Sequence, residues 1–559
     1  MIHFKLEQKI KGVSESFQIR RLLNSILPLI PGILAFVWFL VRVIPKPQRA
    51  TYPCMKVAYP LMSGLVIWLL GVTGISASLK LFFKNIRSKK YILAFGSVLM
   101  LLVFFVFYLL DHQVPLFASE QQTVPVHLPN APFGVPQGII PGRVVWSWDP
   151  AATNENCTND LSKEDGYFLA KNNNQEVIDK MLAGSIFALA DKKSQKEAWD
   201  AIFRHFNKQK GKGNIGYKNT ETVFIKINQG CAWSTKSSSD LTRKKGALGY
   251  SETSPQVVLS VLKQLVNVAG VPQNKIIVAD PLSHIYQDNY ELLHTQFPDV
   301  IYGDRTREAE ALGRTFLKPE TTPVLFYSDK GTVLKGGPDC LYTDMQNADY
   351  MINIAALKAH ACAGITLLAK NHFGSVTRKT ASHLHAGLVG DRNDKPYRLD
   401  YGMYRVQVDL MGSKYLGRNT MLNIVDGLWG GPEATVAPVK WMMEPFNNDW
   451  PNSVFVSLDQ VALESVCFDF LRSESNVGLP DWRNRPNFAQ GVDDYLHQAA
   501  SSKNWPEGII YDPDNSGTPI PSLGVHEHWN NPVEKKYSRD LGKAEGIELV
   551  KILAKKSNM

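Results

Sequence analysis

The densest group of residues that could do chemistry lies in the segment 353–385. The segment has the sequence NIAALKAHACAGITLLAKNHFGSVTRKTASHLH and contains Lys358, His360, Lys370 and His383. A lysine ammonium is a compact positive charge that suits a carboxylate or phosphate, and a histidine can bind a metal or transfer protons near neutral pH. We therefore predict an anion-binding and proton-transfer site here. The alternative is a set of solvated loop charges.

Further polar residues follow short runs of β-branched or aromatic residues elsewhere in the chain. Lys226 and Asn228 follow one run, and Asp280, Asp426 and Asp459 each follow another. Ligands of open α/β sheets bind beyond the carboxyl ends of the strands. We therefore expect these residues and the segment 353–385 to form one rim that contains lysines and histidines.

Paired histidines suggest a metal. His383 and His385 form an H-x-H motif, as do His526 and His528. Residues i and i+2 of a strand share a face, so either pair could supply two ligands of a divalent metal. We predict His360 and His383 as the first candidate ligands and the second H-x-H as an alternative. The competing interpretation is histidines that pack or form hydrogen bonds.

The six cysteines exclude the common cysteine cofactor motifs. No two of them lie within a few residues of each other, so a ferredoxin-type run, a zinc ribbon and a C-x-x-C pair are absent from the sequence. We therefore expect no iron–sulfur cluster motif in this chain. The sequence does not identify a cofactor, and the divalent metal considered above is the candidate.

The elements that would position these residues have the pattern of an α/β sheet. Strand-like runs occur at 144–148, 222–227, 275–279, 323–327, 350–354, 422–425 and 453–457. The clearest helix, 255–269, begins with a proline after Ser254 and ends before Gly270. Helices are also expected at 175–190 and 196–207. Strand, helix and strand at this spacing predict a mainly parallel sheet with flanking helices.

The charge of the chain is unevenly distributed. The formal net charge is +9, but residues 1–110 hold 14 Lys and Arg against 2 Asp and Glu, which leaves −3 for the remainder. The larger part of the chain therefore lacks the positive charge that drives binding to a phosphate backbone. We exclude nucleic acid as a partner.

The basic N-terminal segment contains three uncharged apolar stretches. They lie at 22–41, 57–75 and 91–110, and each is near the roughly 20 residues needed to cross a bilayer. We predict a three-helix transmembrane anchor over 1–112, a linker over 113–141 and an exported α/β domain over 142–559. The distribution of Lys and Arg between the loops places the N-terminus in the cytoplasm and the large domain on the periplasmic side of the inner membrane.

Several motifs together resemble one protein family. They are K-x-H at 358–360, G-I-T at 364–366, K-N-H-F-G at 370–374, and the segments VFIKIN, NIVDGLWGGPE and VSLDQVALES. From about Gly142 to Leu549 the chain is similar to the domain of unknown function 362 family, and SLGVHEHWNN resembles the C-terminal run of its long, membrane-anchored members. The resemblance implies a fold and a site but no reaction. The implied site positions are Lys226, Asn228, Lys358, His360, Thr366, Lys370, Asn371, Gly374, His383, Asp426, Pro432 and Asp459.

These observations favour a membrane-anchored exported protein that binds a small anionic ligand at the rim and acts on it chemically. In such an enzyme the lysines neutralise substrate charge, and His360 or His383 transfers the proton. Asp426 or Asp459 orients the histidine or holds a metal. The alternative is a non-catalytic, membrane-tethered binding or electron-transfer protein whose rim docks a membrane or redox partner protein. The residues leave open whether the chain is an enzyme.

Overall fold

The computed structural model describes most of the chain after residue 127. It covers residues 128–554 apart from 231–234, 244–248, 391–397, 399 and 478–487, together with 77–91 and the single positions 37, 41, 93, 95, 97 and 98. The chain divides into two compact units, Met1–Thr123 and Val124–Met559. The second unit carries every residue of the predicted rim.

One large sheet forms the centre of the second unit. The strands are β1 (Phe133–Gly134), β2 (Arg143–Trp148), β3 (Val223–Lys226), β4 (Thr235–Ser237), β5 (Asp240–Arg243), β6 (Ile276–Ala279), β7 (Ile301–Asp304), β8 (Thr315–Phe316), β9 (Tyr350–His360), β10 (Gly364–Ile365), β11 (Thr420–Gly431), β12 (Ser453–Ser457), β13 (Val525–His526) and β14 (Glu548–Leu553). The large sheet has the order β14-β2-β12-β11-β9-β3-β6-β7-β8, and β10 pairs with β9. Two small antiparallel sheets join β1 to β13 and β4 to β5.

Most neighbours in the large sheet are parallel. Strands β11, β9, β3, β6, β7 and β8 run in one direction, whereas β12 is antiparallel to both β2 and β11. The carboxyl ends of β3, β6, β9 and β11 therefore lie together at one edge of the sheet, which we call the carboxyl edge. Strand β12 ends at the opposite edge.

Helices cover both faces of the sheet. They are α1 (Gln175–Ala190), α2 (Gln195–Gln209), α3 (Pro255–Lys263), α4 (Gln287–His294), α5 (Thr343–Asn347), α6 (Leu368–Asn371), α7 (Val406–Gly412), α8 (Gln460–Ser473) and α9 (Phe488–Ala500). Alternate residues of a strand point to opposite faces, so Val454 and Val456 of β12 join the core under α1 to α4, and Phe455 joins the core under α6 to α9. Both faces of β12 are thus buried.

The predicted α/β sheet with flanking helices agrees with this architecture, with two local differences. Helix 255–269 is α-helical only to Lys263 and continues as a π-helix over Gln264–Ala269, which Gly270 ends in a left-handed conformation. The run 323–327 is not a strand, because Leu325 makes only an isolated bridge to Asp339.

The structure contradicts the predicted transmembrane anchor. Among the residues that the structure describes, no helix is long and apolar enough to cross a membrane. The described helical residues 77–87 include Lys80, Lys84 and Arg87, whereas a spanning helix needs about 20 predominantly apolar residues. Most of the three predicted spans lies outside the described residues. We therefore correct the predicted anchor, the membrane partner, the membrane-tethered alternative and the inner-membrane, periplasmic localisation, and we carry none of them further.

Candidate functional site

Lys226 and Asp280 form a buried ion pair at the carboxyl edge. Lys226 ends β3 opposite Ala279, the last residue of its parallel neighbour β6, so the two strand ends meet. Lys226 Nζ lies 3.1 Å from Asp280 Oδ1, and the two side chains are 0% and 3% exposed. The same ammonium donates to the Ile227 carbonyl at 2.7 Å and to Asn371 Oδ1 at 3.0 Å. Its three hydrogens are therefore all used within the protein.

Lys358 is the second buried lysine of this edge. It lies near the end of β9, opposite Gly431 of β11, and is 1% exposed. Its Nζ donates to Asn228 Oδ1 at 2.8 Å and to the carbonyl of Ser251. These two hydrogen bonds orient the ammonium.

Asn371 and Asn228 together connect the two lysines. Asn371 Oδ1 accepts hydrogen bonds from Lys226 Nζ at 3.0 Å and from Asn228 Nδ2 at 3.2 Å. Its Nδ2 donates to Asn353 Oδ1 at 2.8 Å. Asn371 ends the short helix α6, which therefore sets the position of the amide between the strand ends. We call the connected residues the lysine network: Lys226, Asn228, Asp280, Lys358 and Asn371.

His372 is held neutral beside this network. Asn353 Nδ2 donates to His372 Nε2 at 3.1 Å, so Nε2 carries no proton. Burial, with a smaller contribution from the positive charge of Lys226, lowers the pKa of His372 to about 3. The imidazole is therefore uncharged near neutral pH and serves as a hydrogen-bond partner of Asn353.

Gly374 allows the backbone to approach the ion pair closely. A Cβ atom at this position would lie 2.1 Å from Asp280 Oδ1 and 2.8 Å from Lys226 Nζ. Real Cβ atoms do not approach other heavy atoms so closely, so any side chain here would displace the pair. The glycine of the K-N-H-F-G motif is thus explained by close packing against the lysine network.

The hydrogen bonds of His360 fix its tautomer. His360 ends β9, and its Nδ1 accepts the backbone N–H of Cys362 at 2.9 Å and that of Ala363 at 3.3 Å. A ring nitrogen that accepts hydrogen bonds carries no proton, so the proton of the neutral imidazole is on Nε2. His360 therefore presents an N–H donor at Nε2.

Lys370 packs against a cluster of aromatic rings that includes His360. The centre of the His385 ring lies 6.1 Å from that of His360 and 5.5 Å from that of Phe373. Lys370 Nζ lies 3.7 Å from the centre of the Phe373 ring, which is a cation–π contact. The structure thus brings Lys370 and His360 to one group of side chains.

Asp426 lies within β11 rather than after a strand, and Thr366 directly follows β10. The buried Asp426 carboxylate accepts the backbone N–H of Ser254 at 2.6 Å and that of Leu428 at 3.0 Å, and its burial raises the pKa of Asp426 to about 6. Ser254 directly precedes α3, so this carboxylate fixes the start of the helix. The backbone N–H of Thr366 donates to the Lys358 carbonyl at 3.1 Å.

His383 makes a separate set of contacts. Its Nε2 donates to Asp339 Oδ2 at 2.6 Å, and Asp339 also pairs with Arg378 Nε at 2.8 Å. The phenol of Tyr327 donates to the same carboxylate. His360 and His383 thus have different hydrogen-bond partners, and the metal predicted between them stays a prediction.

Asp459 lies at the opposite edge of the sheet. It follows β12, the antiparallel strand, and caps the N-terminus of α8 by accepting from the backbone N–H groups of Val461 at 3.0 Å and Ala462 at 2.9 Å. It also accepts from the backbone of Gln137 at 2.8 Å and Val525 at 3.2 Å. Its carboxylate is thus occupied by four backbone donors, away from the lysine network.

Sequence reasoning did not assign Asn353 and Ser251 to the site. Asn353 interrupts the otherwise apolar start of β9 and is 1% exposed, and a buried amide in a strand requires hydrogen-bond partners. That requirement was the signal that could have identified it. Ser251 contributes only its backbone carbonyl. Every residue has such a carbonyl, so the residue type gave no signal.

The comparison with known proteins concerns the same region. No curated protein matches the chain. Residues 239–469 match the model of a family described as domain of unknown function (DUF362), a shorter span than the 142–549 over which the sequence resembles that family. The matched segment contains Lys358, whereas Lys226 and Asn228 precede it. This match supports the resemblance to the DUF362 family over residues 239–469.

Proposed function

We propose that this protein binds a small anionic ligand, a phosphate or a carboxylate, at the carboxyl edge of its sheet. Lys358, Lys370 and His360 supply the donors, and the lysine network holds Lys358 in place. The observation that carries the proposal is the placement of Lys358 and His360, both buried, at the carboxyl end of β9.

Lys226 is fully engaged within the protein, because its three hydrogens go to Asp280, Ile227 and Asn371. Burying a charge costs free energy unless it is paired, and Lys226 is paired with Asp280. The oxygens of Asn228 and Ser251 orient the Lys358 ammonium. An anion that reaches Lys358 would gain a Coulomb attraction that is stronger than in water. We therefore assign ligand binding to Lys358 and a positioning role to Lys226.

The tautomer of His360 favours anion binding over proton abstraction. To act as a base at Nε2, the ring would have to move its proton to Nδ1, which would break the hydrogen bonds from Cys362 and Ala363. To donate an N–H to an anion, the ring keeps its tautomer and both hydrogen bonds at Nδ1. A hydrogen bond to a charged partner contributes about 1.5–3 kcal/mol, so this donor alone is worth a tenfold or larger change in affinity.

The remaining predicted site residues support the fold in this proposal. The Asp426 carboxylate accepts two backbone N–H groups at the start of α3, and the Asp459 carboxylate accepts four at the opposite edge. A carboxylate that accepts hydrogen bonds from the backbone of several segments stabilises the packing of those segments. We therefore assign neither to the ligand.

Thermal unfolding of the full chain in the presence of inorganic phosphate, sulfate and malonate tests the proposal. A bound anion stabilises the folded protein by about 2.7 kcal/mol at 100 times its dissociation constant, which raises the unfolding temperature. His360→Asn places an amide oxygen near the position of Nδ1 and removes the Nε2 donor. We expect this variant to fold and to bind the anion about tenfold more weakly.

Lys335→Met is the matched control. Like Lys358, Lys335 donates to two uncharged oxygens, the carbonyls of Gly331 at 2.7 Å and Thr332 at 2.9 Å, but it is exposed. Its replacement should leave the anion effect unchanged. The proposal fails if none of the anions raises the unfolding temperature more than sodium chloride does at equal ionic strength, or if His360→Asn responds like the wild type.

A further inference from the structure

A second group of chemically active side chains lies where β13 meets α8 and α9. His526 belongs to β13, His528 follows it, and Asp493 belongs to α9. One ligand atom from each of these three residues lies within 4.8 Å of the others, and all three are at most 5% exposed. Within the described residues, this is the one group of three or more His, Cys, Asp or Glu side chains that close together.

The tautomer of His526 follows from its contact with Ser465. The Ser465 hydroxyl donates its single hydrogen to the Val461 carbonyl at 2.7 Å. Its oxygen must therefore accept from His526 Nδ1, which lies 2.7 Å away. With the proton on Nδ1, the lone pair of the imidazole is on Nε2. This is the form in which a histidine binds a metal ion.

His528 is oriented in the same way by Asp469. Its Nδ1 donates to Asp469 Oδ1 at 2.7 Å, and its Nε2 lies 3.0 Å from Asp493 Oδ1. Asp469 lies one helical turn after Ser465 on α8, so both outer partners come from one face of that helix. Metal-binding histidines almost always donate their second ring N–H to such a partner, usually a carboxylate or a carbonyl.

We propose that Asp493, His526 and His528 bind one divalent transition-metal ion. Two imidazole nitrogens and one carboxylate oxygen are the donors that zinc and its neighbours prefer, whereas magnesium and calcium prefer oxygen alone. The ion would connect β13 to α9. Helix α8 would orient both imidazoles through the contacts of Ser465 and Asp469 with their Nδ1 atoms. The proposal uses no residue of the lysine network and stands independently of the proposed function.

A proton shared between His528 and Asp493 is the competing account of the same geometry. Zinc binding separates the two accounts. The full chain, purified without a histidine tag or a chelator, is loaded with zinc, dialysed and analysed for metal content, and its affinity is measured by competition with a chromogenic chelator. Unfolding temperatures are recorded with and without EDTA, and magnesium serves as the negative probe.

Three variants are compared with the wild type. Asp493→Asn and His526→Gln should lose stoichiometric zinc, and Asp469→Asn should weaken zinc binding by about 10–100-fold through the orientation of His528. His284→Asn is the control, because His284 is also buried and its Nδ1 contacts a carboxylate, that of Asp304, at 2.8 Å. It should keep one zinc ion per chain.

The expected result is one zinc ion per wild-type chain, no uptake of magnesium, and an unfolding temperature that EDTA lowers. If the ligand variants do not fold, the visible spectrum of wild-type protein loaded with cobalt(II) tests metal binding instead. Cobalt(II) held by nitrogen and oxygen ligands in a tetrahedral site absorbs more intensely than the aqueous ion. A wild-type chain that retains no zinc, zinc retention in both ligand variants, or a cobalt spectrum equal to that of the aqueous ion would overturn the proposal.

Discussion

Replacing Lys226 with methionine should strongly destabilise the unit that contains the sheet. Removing one partner of a buried ion pair costs about 3–5 kcal/mol, because the other charge is left buried without compensation. Lys226 and Asp280 fit that case, with side chains 0% and 3% exposed. Burial lowers the pKa of Lys226, and the Asp280 carboxylate opposes this shift in part. Methionine keeps the length of the aliphatic chain, so the change isolates the ammonium group.

The pair of Lys180 and Glu176 provides the control. Its atoms are closer, at 2.7 Å, but the side chains are 73% and 78% exposed. Solvent screens such a pair, and the ordering of two long side chains offsets most of the attraction. Lys180→Met should therefore leave the stability of the protein nearly unchanged, although the ion pair that it removes is shorter.

Urea denaturation of the full chain, followed by tryptophan fluorescence, measures both variants. The double variant Lys226→Met with Asp280→Asn removes both charges, so it should regain a large part of the stability that the single variant loses. The reasoning is refuted if Lys226→Met unfolds at the same urea concentration as Lys180→Met. It is also refuted if the double variant is less stable than Lys226→Met alone.

Two further changes test the surroundings of this ion pair. The pKa of His372 is about 3 in the folded protein against 6.5 in the unfolded chain, so its contribution to stability is complete above pH 6.5 and falls by about 2 kcal/mol between pH 7 and pH 5. Urea titrations of His372→Gln should lack that part of the pH dependence, and an unchanged dependence would contradict the assignment. Gly374→Ala should destabilise the protein by more than Gly230→Ala, because the new Cβ meets Asp280 Oδ1 at 2.1 Å, whereas at position 230 the nearest atom among the described residues beyond its chain neighbours is Asn228 Nδ2 at 3.9 Å. Equal unfolding midpoints of the two alanine variants would show that the ion pair tolerates the displacement.

The elements with strong local signals were predictable from the sequence. The helix at 175–190 has the predicted bounds, because Asn174 caps its start and Asp191 ends it in a left-handed conformation. Strand β12 also has its predicted bounds, since turn residues enclose a short apolar run. Local patterns of this kind fix where an element begins and ends.

Pairing between distant strands was not predictable, and it decided which polar residues meet. Lys226 ends a strand and Asp459 follows one, but β12 is antiparallel to its neighbours, so the two residues lie at opposite edges. His383 was assigned to the rim by its place in the chain, whereas the fold directs it to Asp339. Apolar composition alone also predicted membrane spans that no described helix supports.

Isothermal titration of inorganic phosphate into the wild type, Lys358→Met and Lys335→Met tests the central claim most directly, with malonate as the carboxylate probe. We predict that one of the two anions binds the wild type at a single site and binds Lys335→Met equally well. Lys358→Met should bind it at least about tenfold more weakly, because the buried ammonium is the charge that the ligand meets. Equal binding by Lys358→Met and the wild type, or no binding of either anion to the wild type, would contradict the proposed anion site.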